Sequence, residues 1–294
     1  MNHMDYSLVI EGLTKKIGDF TLQNISFELP KGYILGYVGQ NGAGKTTTIK
    51  LIMSMLKQDK GLITVNGRKF PDNEVEFKNS IGYISEKCFF PEEFTLKDIE
   101  DTLISFYPSF SQSKFKKLTE QWELPHKKKI KEFSRGMQVR TMFAAVLARD
   151  TKLLLLDEAT SGLDPVVRSE ILELIQDYIA DGERSVLFST HIMSDLEQVA
   201  DYIYFLDKGE MVIKATKDEL MEQYVLVKGG MEDLNKELEK KLIGTKKSKV
   251  GFEGLLSVEY MDYTRRHHVF EKPTIEQIIV LHIKEIRGSR EWKH

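Results

Sequence analysis

The stretch GQNGAGKTTT, Gly39–Thr48, places three glycines, one lysine and three threonines between two segments of different character. Before it, YILGYV (Tyr33–Val38) is a continuous apolar run of the length typical of a buried strand. After it, apolar residues recur at helical spacing from Ile49 to Leu56. The stretch is therefore predicted to be a loop between a strand and a helix, which is the context in which a glycine-rich loop binds phosphate.

The residue types of this loop suit a nucleoside triphosphate. Glycines let backbone N–H groups point inward without a clash at Cβ, and the helix that begins here adds the positive end of its dipole. Lys45 is a mobile cation suited to the β- and γ-phosphates, and the Thr46 hydroxyl suits Mg²⁺. The residues predicted to hold the nucleotide are Gly39, Asn41, Gly42, Ala43, Gly44, Lys45, Thr46 and Thr47. The alternative is a glycine turn that binds nothing.

A second part of the site is predicted farther along the chain. LLLLDE (Leu153–Glu158) is an apolar strand that ends in two carboxylates, at the sheet edge where ligands bind in α/β folds. Asp157 is the candidate Mg²⁺ partner, and Glu158 is the candidate that polarises an attacking water. Alternatively, both carboxylates cap the following helix. His191 follows the buried-strand sequence SVLFST and is predicted to contact the γ-phosphate, although a lone histidine is more often structural.

Composition bounds the class of protein. The chain has 294 residues, of which 41% are hydrophobic and 30% are charged, as in an ordinary globular protein. A net charge of -3 gives no reason to expect a nucleic-acid partner. The single cysteine excludes an intrachain disulfide and fits a reducing compartment. No apolar run approaches the ~20 residues that span a bilayer, so membrane association is expected only through a partner.

Strands alternate with helices through most of the chain, which predicts an α/β fold whose sheet has a parallel core. Residues 94–148 are predicted to form a helical insertion. After about residue 224 the sequence becomes charged and rich in lysine. We therefore divide the chain into a nucleotide-binding domain at 1–224 and a small α+β domain at 225–294, with an accessory or dimerisation role. Within the latter, SVEYMDY (257–263) is predicted to be a short strand, and a final helix is predicted to be capped by Thr274 and Gln277.

Together with FSRGM (Phe133–Met137) and SGLD (Ser161–Asp164), these segments resemble the ATP-binding cassette family over roughly residues 8–224. GQNGAGKT resembles the Walker A loop, LLLLDE resembles Walker B with its catalytic glutamate, FSRGM the signature, SGLD the D-loop, and His191 the switch histidine. The resemblance implies a P-loop NTPase cassette, with a mixed sheet, an N-terminal antiparallel β part and a helical insertion. It also implies that ATP and Mg²⁺ are the cofactors.

The resemblance further implies that two ATPase subunits pair head to tail, as a homodimer or a heterodimer. Each ATP would lie between the Walker motifs of one subunit and the signature of the other. Ser134 and Gly136 would then offer a hydroxyl and a backbone N–H to the partner's γ-phosphate at a helix start. Asp164 of the D-loop belongs to the same set of nucleotide-site residues.

Several positions depart from the family's pattern. Arg135 stands where glycine is usual and is interpreted either as a cation near a phosphate or, preferably, as a solvent-facing side chain. Glu86 stands where the family's Q-loop glutamine falls. It can ligate Mg²⁺ through oxygen, but it can donate no hydrogen bond unless it is protonated. The adenine-stacking aromatic falls near Ile17, so Phe20 is the substitute candidate, unless it is a core residue.

These features most resemble the cassettes of bacterial ABC-2 exporters that serve antimicrobial peptides and lantibiotics. The leading interpretation is an ATPase subunit at the cytoplasmic face of the membrane, which drives a separate integral membrane permease. Aromatic residues within Lys87–Phe110 suit a groove for that permease, or they merely pack the insertion onto the core. The alternatives are a non-transport cassette that regulates a translation or repair complex, and a module that senses ATP without turnover.

Overall fold

The computed structural model describes residues 5–69, 74–264 and 268–291. The chain forms two compact units, Met1–Lys214 and Ala215–His294. The boundary between these units precedes a short helix, Lys217–Gln223, that our division had placed in the first domain. This helix leads directly into the first strand of the second unit's sheet, which explains why it belongs to that unit.

The elements of the first unit follow one another with short connections. Its strands are β1 (Tyr6–Ile17), β2 (Phe20–Pro30), β3 (Ile34–Gly39), β4 (Lys60–Val65), β5 (Arg68–Lys69), β6 (Ile81–Ser85), β7 (Leu153–Asp157), β8 (Ser185–Ser189), β9 (Tyr202–Asp207) and β10 (Glu210–Thr216), whose last residues reach the second unit. Its helices are α1 (Lys45–Ile52), α2 (Glu74–Asn79), α3 (Leu96–Phe106), α4 (Gln112–Gln121), α5 (Arg135–Leu147), α6 (Pro165–Ile179) and α7 (Met193–Val199).

An antiparallel sheet begins the first unit, with strand order β2-β1-β4-β5. In β1, Leu8, Ile10 and Leu13 are buried, and Leu22 and Ile25 of β2 join them in one apolar core. Register shifts interrupt the pairing of β1 with β2, so the buried positions do not follow strict alternation along the whole strand. The N-terminal antiparallel part that the resemblance implied is confirmed.

A six-stranded sheet forms the centre of the first unit, with strand order β10-β9-β3-β8-β7-β6. The pairs β3–β8, β3–β9, β6–β7 and β7–β8 are parallel. Every residue of β3, β7 and β8 is buried, because these strands have cover on both faces and read as continuous apolar runs. The carboxyl ends of these three strands share one edge, so the segments that follow them meet there.

Helices α3, α4 and α5 form the predicted helical insertion and have an apolar cluster of their own. Leu96, Ile99 and Leu103 of α3 pack in this cluster with Phe115 of α4. Thr95 begins α3 with a capping box, in which its side chain and that of Asp98 each accept a backbone N–H. The insertion is therefore stabilised by local caps and by its own buried surface.

The second unit is a small α+β domain. Its strands, β11 (Tyr224–Gly229), β12 (Ile243–Lys247), β13 (Phe252–Ser257) and β14 (Val269–Glu271), form a sheet of order β12-β13-β11-β14, and its helices are α8 (Lys217–Gln223), α9 (Lys236–Lys241) and α10 (Ile275–Glu291). Thr274 and Gln277 cap α10 as predicted.

One element of this domain was wrongly predicted. SVEYMDY is not a strand, because Val258–Tyr263 forms a 3₁₀ helix. Val258 and Met261 are exposed, so this segment has no sheet face to bury, and its alternation of apolar residues arises without strand pairing. Among the helices of the described residues, none is long and apolar enough to cross a bilayer.

Candidate functional site

A cavity of about 440 Å³ opens where the loop after β3 meets the segment after β7. Its lining comes mainly from the glycine-rich loop and from the start of α1. The lining residues are Ile17, Phe20, Gln40, Asn41, Gly42, Gly44, Lys45, Thr46, Thr47, Glu86 and Glu158. The structure thus brings most of the predicted nucleotide residues to one place. Gly39 and Ala43 belong to the same segment but do not line the cavity.

The shape of the loop depends on its glycines. Gly44 has φ +115°, a backbone conformation that side chains rarely adopt. A Cβ there would also lie 2.9 Å from Leu22 Cδ1 and 3.0 Å from Phe20 Cζ. At Gly39 a Cβ would lie 2.6 Å from the carbonyl oxygen of Leu206 in the neighbouring β9. These positions therefore require glycine if the loop is to turn tightly from β3 into α1.

Lys45 is the first residue of α1, and its side chain is almost fully buried. Its Nζ donates to the Gly39 carbonyl oxygen at 2.7 Å and lies 3.3 Å from Glu158 Oε1. The ammonium group is thus held by two oxygens beside the cavity. Phosphate oxygens that enter the cavity are the natural further acceptors for this cation.

Thr46 and Asp157 provide a pair of hard oxygen ligands beside the loop. Thr46 Oγ1 donates to Asp157 Oδ1 at 3.2 Å. Burial raises the pKa of Asp157 above its usual range, and the hydrogen bond from Thr46 works against this rise. A divalent cation next to Asp157 would favour the charged carboxylate, and hydroxyl and carboxylate oxygens are ligands that suit Mg²⁺.

In the described part of the chain, no group of three or more His, Cys, Asp or Glu side chains could hold a metal ion by itself. Mg²⁺ usually keeps several waters and takes only one or two carboxylates together with substrate phosphates. The Thr46 hydroxyl and the Asp157 carboxylate are oxygen donors of this kind.

Glu158 follows β7 in the left-handed backbone region, with φ 55°. This conformation costs a residue other than glycine about 1–2 kcal/mol. The Glu158 N–H donates to the Ser189 carbonyl at 2.9 Å, which ties the residue to β8. A non-glycine residue in this region at a cavity wall is typical of functional sites.

His191 contacts Glu158 at its other carboxylate oxygen. The His191 backbone N–H donates to Glu158 Oε2 at 3.2 Å, and His191 Nδ1 lies 2.6 Å from the same oxygen. Because Oε1 faces Lys45, Glu158 links Lys45 to His191 through its two oxygens. His191 does not line the cavity itself, and it reaches the site through Glu158.

Besides Gly39 and Ala43, three further predicted nucleotide residues lie outside this cavity. Ser134 is exposed and forms the N-cap of α5, and Gly136 lies in the first turn of that helix. Asp164 is exposed and caps α6 by accepting the N–H groups of Val166 and Val167, each at 3.1 Å. These positions lie at the starts of two helices, α5 and α6, neither of which contributes to the lining of the cavity in the same chain.

Sequence reasoning missed one lining residue and misplaced another side chain. Gln40 lines the cavity, but it occupies a variable position of the G-x-x-x-x-G-K pattern, so no residue type marked it. The preferred interpretation of Arg135, a side chain that points into solvent, is wrong. Its side chain is half-buried, and its Nη2 atom is buried with no hydrogen-bond partner among the described residues.

The remaining candidates also line the cavity. Phe20 is half-buried and lies beside Ile17, so one aromatic side chain contributes to the cavity wall. Glu86 follows β6 and contributes an exposed carboxylate to the same cavity. Both positions are thus available to a bound nucleotide.

Comparison with known proteins gives one consistent family. The ABC transporter family model matches residues 22–161. The ABC transporter ATP-binding protein YtrB of Bacillus subtilis is 32% identical over 216 residues, which cover 73% of this chain and 74% of that protein. The lantibiotic transport ATP-binding protein SrtF of Streptococcus pyogenes is 31% identical over 214 residues, 72% of this chain and 91% of its own length.

Solved structures agree with these matches. The ATP-binding subunit of an ABC transporter superposes with a TM-score of 0.67 at 27% identity, covering 74% of this chain and 92% of that one. The prediction of a P-loop NTPase cassette is confirmed, as is the resemblance of the chain to the ATP-binding cassette family. The chain belongs to the ABC transporter family, as an ATP-binding, ATPase-type cassette of that family.

Proposed function

We propose that this chain binds and hydrolyses MgATP as the ATPase subunit of a bacterial exporter, and that a separate membrane subunit forms the transport path. One observation carries the proposal. Lys45, Glu158 and His191 form a continuous polar chain at one cavity, next to the Thr46–Asp157 pair. A phosphate-binding cation, an oxygen pair for a metal and an oriented carboxylate are the parts that phosphoryl transfer to water needs.

Each group has a distinct role in this proposal. The backbone N–H groups of the glycine-rich loop and Lys45 bind the phosphates, and Phe20 stacks on the base. Thr46 and Asp157 hold Mg²⁺, with Glu86 as a further oxygen ligand. Bound Mg²⁺ supplies charge that neutralises the phosphate oxygens.

Glu158 accepts a proton from the attacking water and orients this water in line with the γ-phosphate. His191 keeps the Glu158 carboxylate in place through its backbone N–H and its ring. Because Lys45 holds the other carboxylate oxygen, the rotation of the Glu158 side chain is restricted on both sides. The two contacts thus preorganise the carboxylate before the substrate arrives.

We further propose that two ATPase subunits pair head to tail and enclose the nucleotide. Ser134, Gly136 and Asp164 are absent from the cavity of their own chain, and the first two lie at the start of α5. Val166, two residues after Asp164, is 68% exposed, which leaves an apolar side chain available to a partner. A second subunit would place these helix starts against the phosphates bound by the first.

Replacing Ser134 by arginine is expected to block this pairing without blocking nucleotide binding by the single subunit. The arginine would add bulk and charge at the helix start that faces the partner's nucleotide. Size-exclusion chromatography with light scattering, in the presence of a non-hydrolysable ATP analogue, measures the dimer. Ser113→Arg is the control, because Ser113 lies near the start of α4, outside the proposed interface. An unchanged dimer in Ser134→Arg would contradict the assignment.

The membrane subunit has a suitable docking surface on the first unit. A second cavity of about 440 Å³ is lined largely by apolar residues, among them Met55, Tyr83, Phe89 and Leu103. Met55 is 62% exposed and Phe89 is 48% exposed, so two large apolar side chains of one groove reach the surface, as at protein interaction sites. We propose that an amphipathic helix of the membrane subunit binds in this groove.

The aromatic residues of Lys87–Phe110 therefore divide into two groups. Phe90, Phe94, Tyr107 and Phe110 pack on the apolar cluster of the helical insertion, as the alternative interpretation required. Phe89 and Phe106 remain exposed. Only the exposed group is available in full to a membrane subunit.

Phe89→Glu is expected to lower the amount of co-purified membrane subunit by about tenfold, because the charge would have to be buried in an apolar contact. The measurement is affinity purification of this chain from detergent-solubilised membranes of its own host, with the multi-span membrane proteins that co-purify quantified for each variant. Val75→Glu is the matched control, since Val75 is 68% exposed but does not line the groove. Equal loss in both variants, or in neither, would remove the groove as the docking site.

The name of one relative supports a proposal for the cargo and the cellular place. Because SrtF is named as a lantibiotic transport protein, we propose an antimicrobial or amphipathic peptide as cargo, and a position at the cytoplasmic face of the membrane. The same purification tests the alternative of a non-transport cassette in a translation or repair complex. That alternative would give soluble assemblies and no membrane protein.

We also propose an accessory or dimerisation role for the second unit. Its edge strand β14 carries Val269 and Phe270, which are 55% and 40% exposed. An exposed apolar edge strand is a surface on which a second chain can pair. This role is independent of the nucleotide site in the first unit.

A further inference from the structure

Two departures from the family's motifs that change charge lie on segments that pack together. Glu86 follows β6, and Arg135 is the first residue of α5. Cys88, two residues after Glu86, packs on the same apolar cluster as Phe133 and Met137, which flank Arg135 in the sequence. The loop that carries the extra carboxylate and the helix start that carries the extra guanidinium are therefore anchored on the same apolar cluster.

The Glu86 carboxylate leaves the nucleotide cavity with an excess of negative charge. The lining contains two carboxylates, those of Glu86 and Glu158, and one ammonium group, that of Lys45. Lys45 already lies 3.3 Å from Glu158, while Glu86 makes no direct ion pair within the described part of the chain. An unneutralised carboxylate at this position repels a polyanion such as a nucleoside triphosphate.

Arg135 carries the opposite charge, and among the described residues part of its guanidinium lacks a partner. Its guanidinium is half-buried, and Nη2 is buried without a hydrogen-bond partner in the residues that the structure describes. A guanidinium stays charged in proteins, so its partial burial is costly unless an opposite charge lies near. Burial lowers the pKa of Arg135, whereas the Glu86 carboxylate raises it. Glu86 is thus close enough to favour the charged guanidinium, as is Cys88 on the same loop.

We propose that Arg135 is a positioning residue that acts through Glu86, offsetting the charge of this carboxylate so that the cavity accepts a nucleoside triphosphate. The proposal rests on the ATP-binding function proposed above. The charges of the two departures cancel. Glu86 replaces a neutral glutamine and Arg135 replaces a neutral glycine, so the total charge is the same as in the family's pattern. Glu86 then remains available as an oxygen ligand without weakening nucleotide binding.

A double-mutant cycle tests this link. The dissociation constant of a non-hydrolysable ATP analogue with Mg²⁺ is measured by calorimetry for the wild type, Arg135→Gln, Glu86→Gln and the double variant. Arg135→Gln is expected to raise the dissociation constant about three- to tenfold at low salt, the range of a single coupled charge pair. In the Glu86→Gln background the same substitution is expected to change it by less than about twofold.

Two further measurements separate a charge effect from a structural one. The rise in the dissociation constant caused by Arg135→Gln is expected to be smaller in about 0.5 M salt, because screening weakens interactions between separated charges. Arg135→Lys is expected to keep most of the affinity, since the role needs a positive charge more than a particular shape. Arg140→Gln is the control in the same helix, because Arg140 pairs with Glu170 outside the cavity; it should leave the dissociation constant unchanged.

The contrary results are distinct from one another. The first is that Arg135→Gln raises the dissociation constant equally in the wild type and in the Glu86→Gln variant. That result would show that Arg135 contacts the nucleotide directly, in its own cavity or in that of a partner, and would overturn the proposal. No rise in either Arg135→Gln or Arg135→Ala, with circular dichroism showing both variants folded, would also overturn it. A wild-type chain that binds no analogue at all would instead refute the proposed ATP-binding function.

Discussion

Glu158→Gln is expected to keep ATP binding while it lowers the rate of hydrolysis by about 100- to 10,000-fold, the usual contribution of a general base. Glutamine has the same shape, so its amide oxygen can still accept the His191 N–H that Glu158 Oε2 accepts at 3.2 Å. It carries no negative charge and cannot take a proton from the attacking water. Release of phosphate in steady state gives the rate, and equilibrium binding of ATP gives the affinity.

The same variant is expected to accumulate an ATP-held dimer, because hydrolysis is the step that would release the two subunits. Size-exclusion chromatography after incubation with MgATP measures this species. Glu123→Gln is a close control, since Glu123 is also a glutamate with a left-handed backbone, at φ 51°, but is exposed and outside the cavity. Near-normal hydrolysis by Glu158→Gln would remove Glu158 as the catalytic carboxylate.

The parts of the fold that the sequence predicts well are those with the strongest local signal. Strands β3, β7 and β8 are buried on both faces and are continuous apolar runs, so their positions follow from composition alone. Parallel strands present their carboxyl ends at one edge, so the convergence of Lys45, Glu158 and His191 was also predictable. The short helix α7 was missed, because seven residues give too few turns for a clear helical period.

The contacts inside the site depend on geometry that residue types do not specify. Glu158 reaches both Lys45 and His191 because its own φ is positive, and nothing in LLLLDE marks that conformation. The direction of Arg135 depends on how the loop after β6 folds back onto α5. A long side chain at a helix start turns to solvent or to a neighbouring loop with similar ease, so tertiary packing decides its direction.

Lys45→Ala is expected to raise the dissociation constant for ATP by about 100-fold or more, since a charge-assisted contact between a buried ammonium and phosphate is among the strongest in a binding site. Lys45 is only 6% exposed, and its Nζ is held between the Gly39 carbonyl and Glu158. Loss of the ammonium therefore has a second effect. The Glu158 carboxylate keeps its negative charge beside the place where the phosphates must bind, and it then repels them.

Calorimetry with ATP and Mg²⁺ measures the loss of affinity. Lys50→Ala is the control for the removal of a lysine from α1, because Lys50 lies in the same helix but is exposed and outside the cavity. Alanine leaves the Gly39 carbonyl without its donor, so a stability loss of about 1 kcal/mol is expected, and thermal unfolding must show that the variant is folded. The double variant Lys45→Ala/Glu158→Gln should recover part of the affinity, because it removes the uncompensated carboxylate together with the cation. Unchanged affinity in the folded single variant would refute the phosphate-binding role of Lys45, and with it the reason for a buried ammonium at this loop.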